Sequence, residues 1–270
     1  MKKNIPIAVA VVVIFGGLAT YLYWPHSQPE PEPVHVQAPP PPPPTPPTPP
    51  LPEVSHVLEA PPAPPPLPAL ADSDKFMLDS LAGLVNNKSL MEVFNTERII
   101  RNIVATIDNL PSRRAPMSVM PVERARGKFI TAGTESDLII SPMNAARYTP
   151  YVRIAETVDA KKLVELYVRL YPLFQETYEK LGYPKKYFND RLIVVLDNLL
   201  AAPDIKEPVK LIQPNVFYLF ADPDLEKRSI GQRLLMRTGS SNEAIIKGKL
   251  REIKQELILH MHEKKVVRAG

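Results

Sequence analysis

The 270-residue chain has 33 Lys and Arg against 29 Asp and Glu and no cysteine, which excludes disulfides, iron–sulfur ligation and thiol catalysis. Charge is uneven: residues 1–24 carry +2, residues 25–71 carry −4, and residues 72–270 hold 31 basic against 25 acidic side chains. Twenty-one of the 33 prolines fall between Pro25 and Pro68, so the first quarter is not globular, while the stretch from Asp72 onward is long enough for one sizeable core.

Residues 5–24, "IPIAVAVVVIFGGLATYLYW", contain no ionisable side chain apart from tyrosine. Twenty helical residues reach about 30 Å, the thickness of a bilayer's hydrocarbon layer. Tyr21, Tyr23 and Trp24 stand at the far end, where amphipathic aromatics anchor at the headgroups, and Lys2 and Lys3 precede the span. The expected arrangement is residues 1–24 as an uncleaved signal anchor in the inner membrane, with a cytoplasmic N-terminus and everything after Trp24 in the periplasm. A cleaved signal peptide would have a shorter apolar region ending in small residues. Residues 25–71 then read as a disordered proline-rich linker in polyproline II, semi-rigid and at most about 140 Å long, with Val54 to Ala60 as a softer joint.

Residues 72–264 are expected to form a mainly helical domain with at most a small β-hairpin or two, followed by a tail, residues 265–270. Asp72 or Ser73 caps a short helix through Val85. Ser89 opens a longer helix through Ile107, ended by Pro111. "KFITAG" and "DLIIS" form a hairpin around Gly133. Ser141-Pro142 starts a helix that Pro150 bends or divides. Asp159 begins the clearest helix, to Leu181, with Pro172 expected to kink it. "NDRLIVVLDNLLAAP", capped by Asn189 or Asp190, reads as a central buried helix because it is apolar nearly all round. "VKLIQPNVFYLF" gives two short strands or an extended loop. Asp222-Pro223 starts a helix ending at Gly239, and Ser240 with Glu243 makes a capping box for the last one, to about His262.

Four stretches, "RIIRNIVATIDNLP", "LYPLFQETYEKLGYPKKYFNDRLIVVLDNLLAAP", "QPNVFYLFADPDLE" and "GQRLLMRTGSSNEAIIKGKLREI", resemble the uncharacterised proteobacterial family called domain of unknown function 3014. The resemblance covers about residues 90–255. It implies a Gram-negative envelope setting and brings no activity, cofactor or site residue.

The five histidines, His26, His35, His56, His260 and His262, all lie outside Asp72–Leu259. Serine–histidine catalysis and imidazole or thiolate zinc sites are therefore excluded within that stretch. With no P-loop and no GxGxxG, no catalytic, cofactor or metal residue is assigned. His260-Met261-His262 reads as a frayed tail rather than a metal site. Catalysis would have to run on carboxylates, Tyr, Lys or Ser; a carboxylate pair could cleave a glycosidic bond, as in a peptidoglycan hydrolase. Asp197, inside an apolar run, and Asp190, beside Arg191, read more simply as structural residues.

Two groups are left as partner-binding candidates. Tyr148, Tyr151 and Tyr183 suit a sugar or peptide groove, or else the edge of a helical core. Arg113, Arg114, Arg124, Arg126 and Lys128, opposed only by Glu123, suit anionic polymers or lipid headgroups, or else a solvated loop. The basic last helix packs on the domain or meets a membrane. The leading expectation is a membrane-tethered periplasmic binding or scaffold protein with an envelope protein or cell-wall partner, no nucleic acid and no catalysis. The rivals are the hydrolase and a TonB-like energy transducer, whose terminal domain would be smaller and less helical.

Overall fold

In the computed structural model, which describes residues 55–58, 66–114, 119–206 and 208–264, each local capping signal meets a test against tertiary contacts. The expected membrane segment and most of the proline-rich stretch lie outside the described residues. Among the described residues no helix is long and apolar enough to cross a membrane.

The domain is mainly helical, as the patterning indicates. Helix α1 (Ser73–Val85) is followed by the single turn α2 (Lys88–Met91), α3 (Ile99–Asn109), a 3-10 helix (Pro142–Tyr148), α4 (Thr149–Thr157), α5 (Ala160–Lys180), α6 (Phe188–Leu200), the short α7 (Pro223–Glu226), α8 (Ile230–Met236) and α9 (Ser240–Leu259). α5 is the axis. It packs against α3, α6 and α9, and α9 in turn lies along α4, α6 and α8. Leu163, Leu166, Tyr167, Leu170 and Phe174 of α5 are wholly buried, because apolar residues at 3.6 spacing widen here to most of the cylinder. Asp159 caps α5 by accepting from Lys162 N at 2.9 Å, and the helix continues past Pro172.

Two hairpins form where expected. β2 (Thr131–Ala132) pairs antiparallel with β3 (Ile139–Ile140), and β4 (Leu211–Ile212) with β5 (Leu219–Phe220). They join into one small layer, since Ile140 N donates to Val209 O at 2.9 Å and Leu211 N to Leu138 O at 2.7 Å. That layer encloses a second core of Phe129, Val209, Leu211, Phe220 and Met236. β1 (Ser55–Leu58), in the stretch expected as linker, pairs antiparallel with β6 (Met261–Lys264), where a helix end and frayed tail were expected; β1 lies against α6, and Met261 packs on the main core.

Four expectations are corrected. The helix expected from Ser89 is broken at residues 92–98. There Phe94 bridges Val122, Asn95 N donates to Pro121 O at 2.8 Å, and Glu123 N donates to Val93 O at 2.7 Å. The restart at α3 is capped from 24 residues away: Asp74 accepts from Arg98 N at 2.7 Å and Ile99 N at 2.9 Å. α6 is amphipathic rather than central; Val194 is 52 % exposed, and neither Asn189 nor Asp190 is its cap, the helix starting at Phe188 after Tyr187. The helix from Asp222 to Gly239 divides at Ser229, whose hydroxyl accepts from Gln232 N at 3.2 Å and opens α8. The capping box before α9 does not form, because Gly239 (φ +91°) takes the cap and Glu243 turns inward.

α8 approaches its neighbours closely enough to require glycine. A Cβ on Gly231 would stand 2.5 Å from Leu199 Cδ2 and 3.1 Å from Leu110 O, where the Gly231 N–H already donates at 3.0 Å. Gly231→Ala is expected to cost about 1–3 kcal/mol by overpacking, read as a lower urea midpoint at unchanged slope.

Candidate functional site

The loop from Glu123 to Lys128 has no repeating hydrogen-bond pattern of its own, so its shape must come from outside it. Arg147, at the end of the 3-10 helix, supplies it. Its Nη2 donates to Gly127 O at 2.9 Å and Ala125 O at 3.5 Å, and its Nε to Arg126 O at 3.2 Å. One planar guanidinium thus holds three successive carbonyls, a fork that a lysine ammonium does not reproduce. Tyr151 adds a fourth tie by donating to Glu123 O at 3.0 Å.

Local sequence explains why these side chains face the loop. Ser141 caps the 3-10 helix, accepting from Met143 N at 3.3 Å, with Pro142 in the first turn. Pro150 then lies in the first turn of α4, where its missing N–H costs nothing. Asn144, buried between these ends, accepts from Ile130 N at 2.9 Å and donates to Ile130 O at 2.5 Å and Ser141 O at 2.9 Å. It fixes the point where the loop becomes the β2–β3 hairpin.

The result is a cationic prominence. Arg124, Arg126 and Lys128 are exposed, as is Glu123 at the start of the loop, and Glu92 stands 3.8 Å from Arg126. Such an exposed pair holds the arginine weakly.

Tyr148 and Tyr151 are each only 3 % exposed and lie beneath this loop, so they are its buttress and not a groove. Burial, and next the Glu123 carboxylate, push the Tyr151 hydroxyl up to about 12, which keeps it a neutral donor across the physiological range. Burial raises Tyr148 as well, opposed by the Arg147 charge over its ring. Tyr183 belongs elsewhere. It stacks on Tyr178 at 4.5 Å and donates to Asp108 Oδ2 at 3.1 Å, with Arg191 Nε on the same carboxylate at 2.8 Å. Asp108 is therefore an ion-pair partner of Arg191. Arg113 and Arg114 are exposed on a separate loop after α3, which α8 ties down through Ile230 N to Ser112 O at 2.7 Å and Arg233 Nη2 to Arg113 O at 2.6 Å.

Asp197 points outward, 53 % exposed, and pairs with Lys254. It is no buried acid. A pocket of about 160 Å³ lies between residues 140–145, Ile205, Val209 and residues 236–242. A larger recess of about 540 Å³ runs between residues 203–210 and 221–225. Among the described residues no three His, Asp or Glu side chains gather as a metal site would require.

Sequence reading found the exposed cations and both buttressing tyrosines, but not Arg147 or Asn144. No local signal marks them, because Arg147 acts on carbonyls 20 to 22 residues upstream.

Residues 99–254 match a family model described as protein of unknown function (DUF3014). The chain belongs to that family. In this DUF3014 protein the matched residues run from the start of α3 into the last turns of α9, and so include the cationic loop and its whole buttress. No curated protein and no solved structure matches the chain.

Arg147→Lys is expected to leave the helical core in place while loosening the loop. Amide exchange over residues 125–130 should rise several-fold, and global stability should fall by about 1–2 kcal/mol, the scale of one or two lost hydrogen bonds. Unchanged exchange there would remove Arg147 from its assigned role.

Proposed function

We propose that this DUF3014 protein is a membrane-tethered binding module of a Gram-negative cell envelope, and that it works without turning over a substrate. In this reading residues 5–24 anchor it in the inner membrane and the proline-rich stretch spaces it from that anchor. The periplasmic helical domain then presents the loop of Arg124, Arg126 and Lys128 to an anionic partner.

The observation that carries the reading is the construction of the loop. Three exposed cations are held outward by a half-buried guanidinium and a buried tyrosine, and their carbonyl ties leave the charged side chains free to meet a ligand. Binding residues are disproportionately carried on loops that a rigid scaffold positions. Attraction by such a cluster is long-ranged and weakens with salt. The apolar span, its aromatic end and the lysines before it support the tether and the orientation.

The chain has no cysteine, so a single introduced one reports position cleanly. Arg126→Cys in the full chain should react with a membrane-impermeant maleimide in cells whose outer membrane alone is opened, and Lys3→Cys should react only after lysis. The reverse pattern would overturn the proposal.

A further inference from the structure

The cationic loop adjoins two apolar side chains that the domain leaves uncovered. Met143 is 69 % exposed and Ile130 is 37 % exposed. Both are fixed by the same buried amide: Asn144, next to Met143 in the 3-10 helix, grips the backbone N–H and C=O of Ile130. Arg147 Nη1 reaches that amide oxygen at 3.4 Å while the rest of its guanidinium holds the loop. Arg124, Arg126, Lys128, Ile130 and Met143 are thus carried on one hydrogen-bonded frame.

Cations beside protruding apolar side chains match the boundary of an anionic bilayer. Guanidinium and ammonium groups meet phosphates there, and thioether and aliphatic groups enter the layer beneath. A sugar polymer would be better served by exposed aromatic rings, and Tyr148 and Tyr151, the rings beside the loop, are buried. We infer that this frame is a lipid-docking surface, by which the domain lies down on the anionic face of the membrane that anchors it. The inference rests on the tethered reading above.

Three cations and two partly exposed apolar groups bind a bilayer weakly when the domain is free. A tether raises the effective concentration to the order of millimolar, which makes weak docking sufficient. Proline-rich spacers in general keep their direction over only several residues, so a tether of the length expected from the sequence would let the domain reach the bilayer. Docking governed by that balance would respond to the anionic lipid content and ionic strength of the membrane.

The test uses the full chain in nanodiscs of phosphatidylcholine alone or mixed with phosphatidylglycerol, containing nitroxide-bearing lipid. A fluorophore is attached at Met143→Cys or, as a control, at the exposed Lys185→Cys. Several-fold quenching at 143 in the anionic discs is expected. It should be absent at 185 and in neutral discs, and lost at about 1 M salt, where the Debye length is about 3 Å. It should also be lost when Arg124, Arg126 and Lys128 are all changed to Gln. Because these three side chains are exposed, that variant should keep its fold, which its far-ultraviolet dichroism checks. Absent quenching, equal quenching in neutral discs, or quenching that survives the triple change would each overturn the inference. A chain that fails to enter the discs would contradict the tethered reading alone, and the same labelled chain mixed with vesicles of the two compositions would still read the docking surface.

Discussion

Replacing Lys247 by methionine is expected to destabilise the domain by about 3–5 kcal/mol, the scale for stranding a buried charge. Lys247 and Glu243 face each other one turn apart on α9, 2.8 Å between Nζ and Oε1, with side chains 3 % and 2 % exposed. The ammonium also donates to Ala202 O and to Asp204 Oδ1, both at 2.6 Å. Its removal hurts the two carboxylates unequally. The Asp204 side chain is 92 % exposed and regains water, whereas Glu243 stays in the core without its counter-charge.

Burial already pushes Glu243 up, against the downward pull of Lys247. Without the lysine that rise must grow. A carboxyl whose folded value is raised binds its proton more tightly folded than unfolded. Stability therefore falls as pH rises from the unfolded value through the folded one. Urea midpoints of Lys247→Met should climb on acidification through the upper carboxylate range. Adding Glu243→Gln should recover most of the loss and abolish that climb. A single variant as stable as wild type at neutral pH would show that Glu243 finds water or another partner.

Phe174→Ala should cost about 3–5 kcal/mol, the range for truncating a buried aromatic. The Phe174 ring is wholly buried, stacked on Phe188 at 5.9 Å and 10° and tilted against Tyr167 at 5.4 Å. These rings tie α5 to α6, and Tyr167 also donates to Asn189 Oδ1 at 2.5 Å across the same seam. Backbone on both sides is fixed by helices, so the seam can collapse only in part and a cavity remains. Tyr187→Ala, at a residue 40 % exposed next to this seam, should change stability by about 0.5 kcal/mol or less. Equal losses for the two variants would contradict an energetic centre at Phe174.

What was legible in the sequence was what local chemistry decides. The Asp159 cap, the Ser141-Pro142 start and the turn residues around Gly133 each act within a few positions. Their elements appear where the pattern puts them. Where a partner comes from afar, reading failed. Residues 92–98 have a helical pattern, yet the backbone of residues 121–123 and the Asp74 carboxylate take over their hydrogen bonds. Ser240 and Glu243 have the spacing of a capping box, but Lys247 and the core claim Glu243 for a buried pair.

The site divides in the same way. Exposed charge is a property of composition, and Arg124, Arg126 and Lys128 were visible as such. Tyr148 and Tyr151 stood out as polar aromatics, but whether a ring faces water or lies under a loop depends on burial, which their spacing does not encode. Arg147 has nothing in its neighbourhood to distinguish it from any surface arginine, since its partners are backbone carbonyls on another segment.

In the proposed function the Arg147-held loop and its apolar neighbours, rather than the helical faces, meet the anionic partner. Amide exchange measured along the full chain in anionic and in neutral nanodiscs tests it most directly. Slowed exchange is expected over residues 123–130 and 142–148 in the anionic discs, with α5 and α9 unchanged. Slowing confined to α9, or identical exchange in the two lipids, would contradict it.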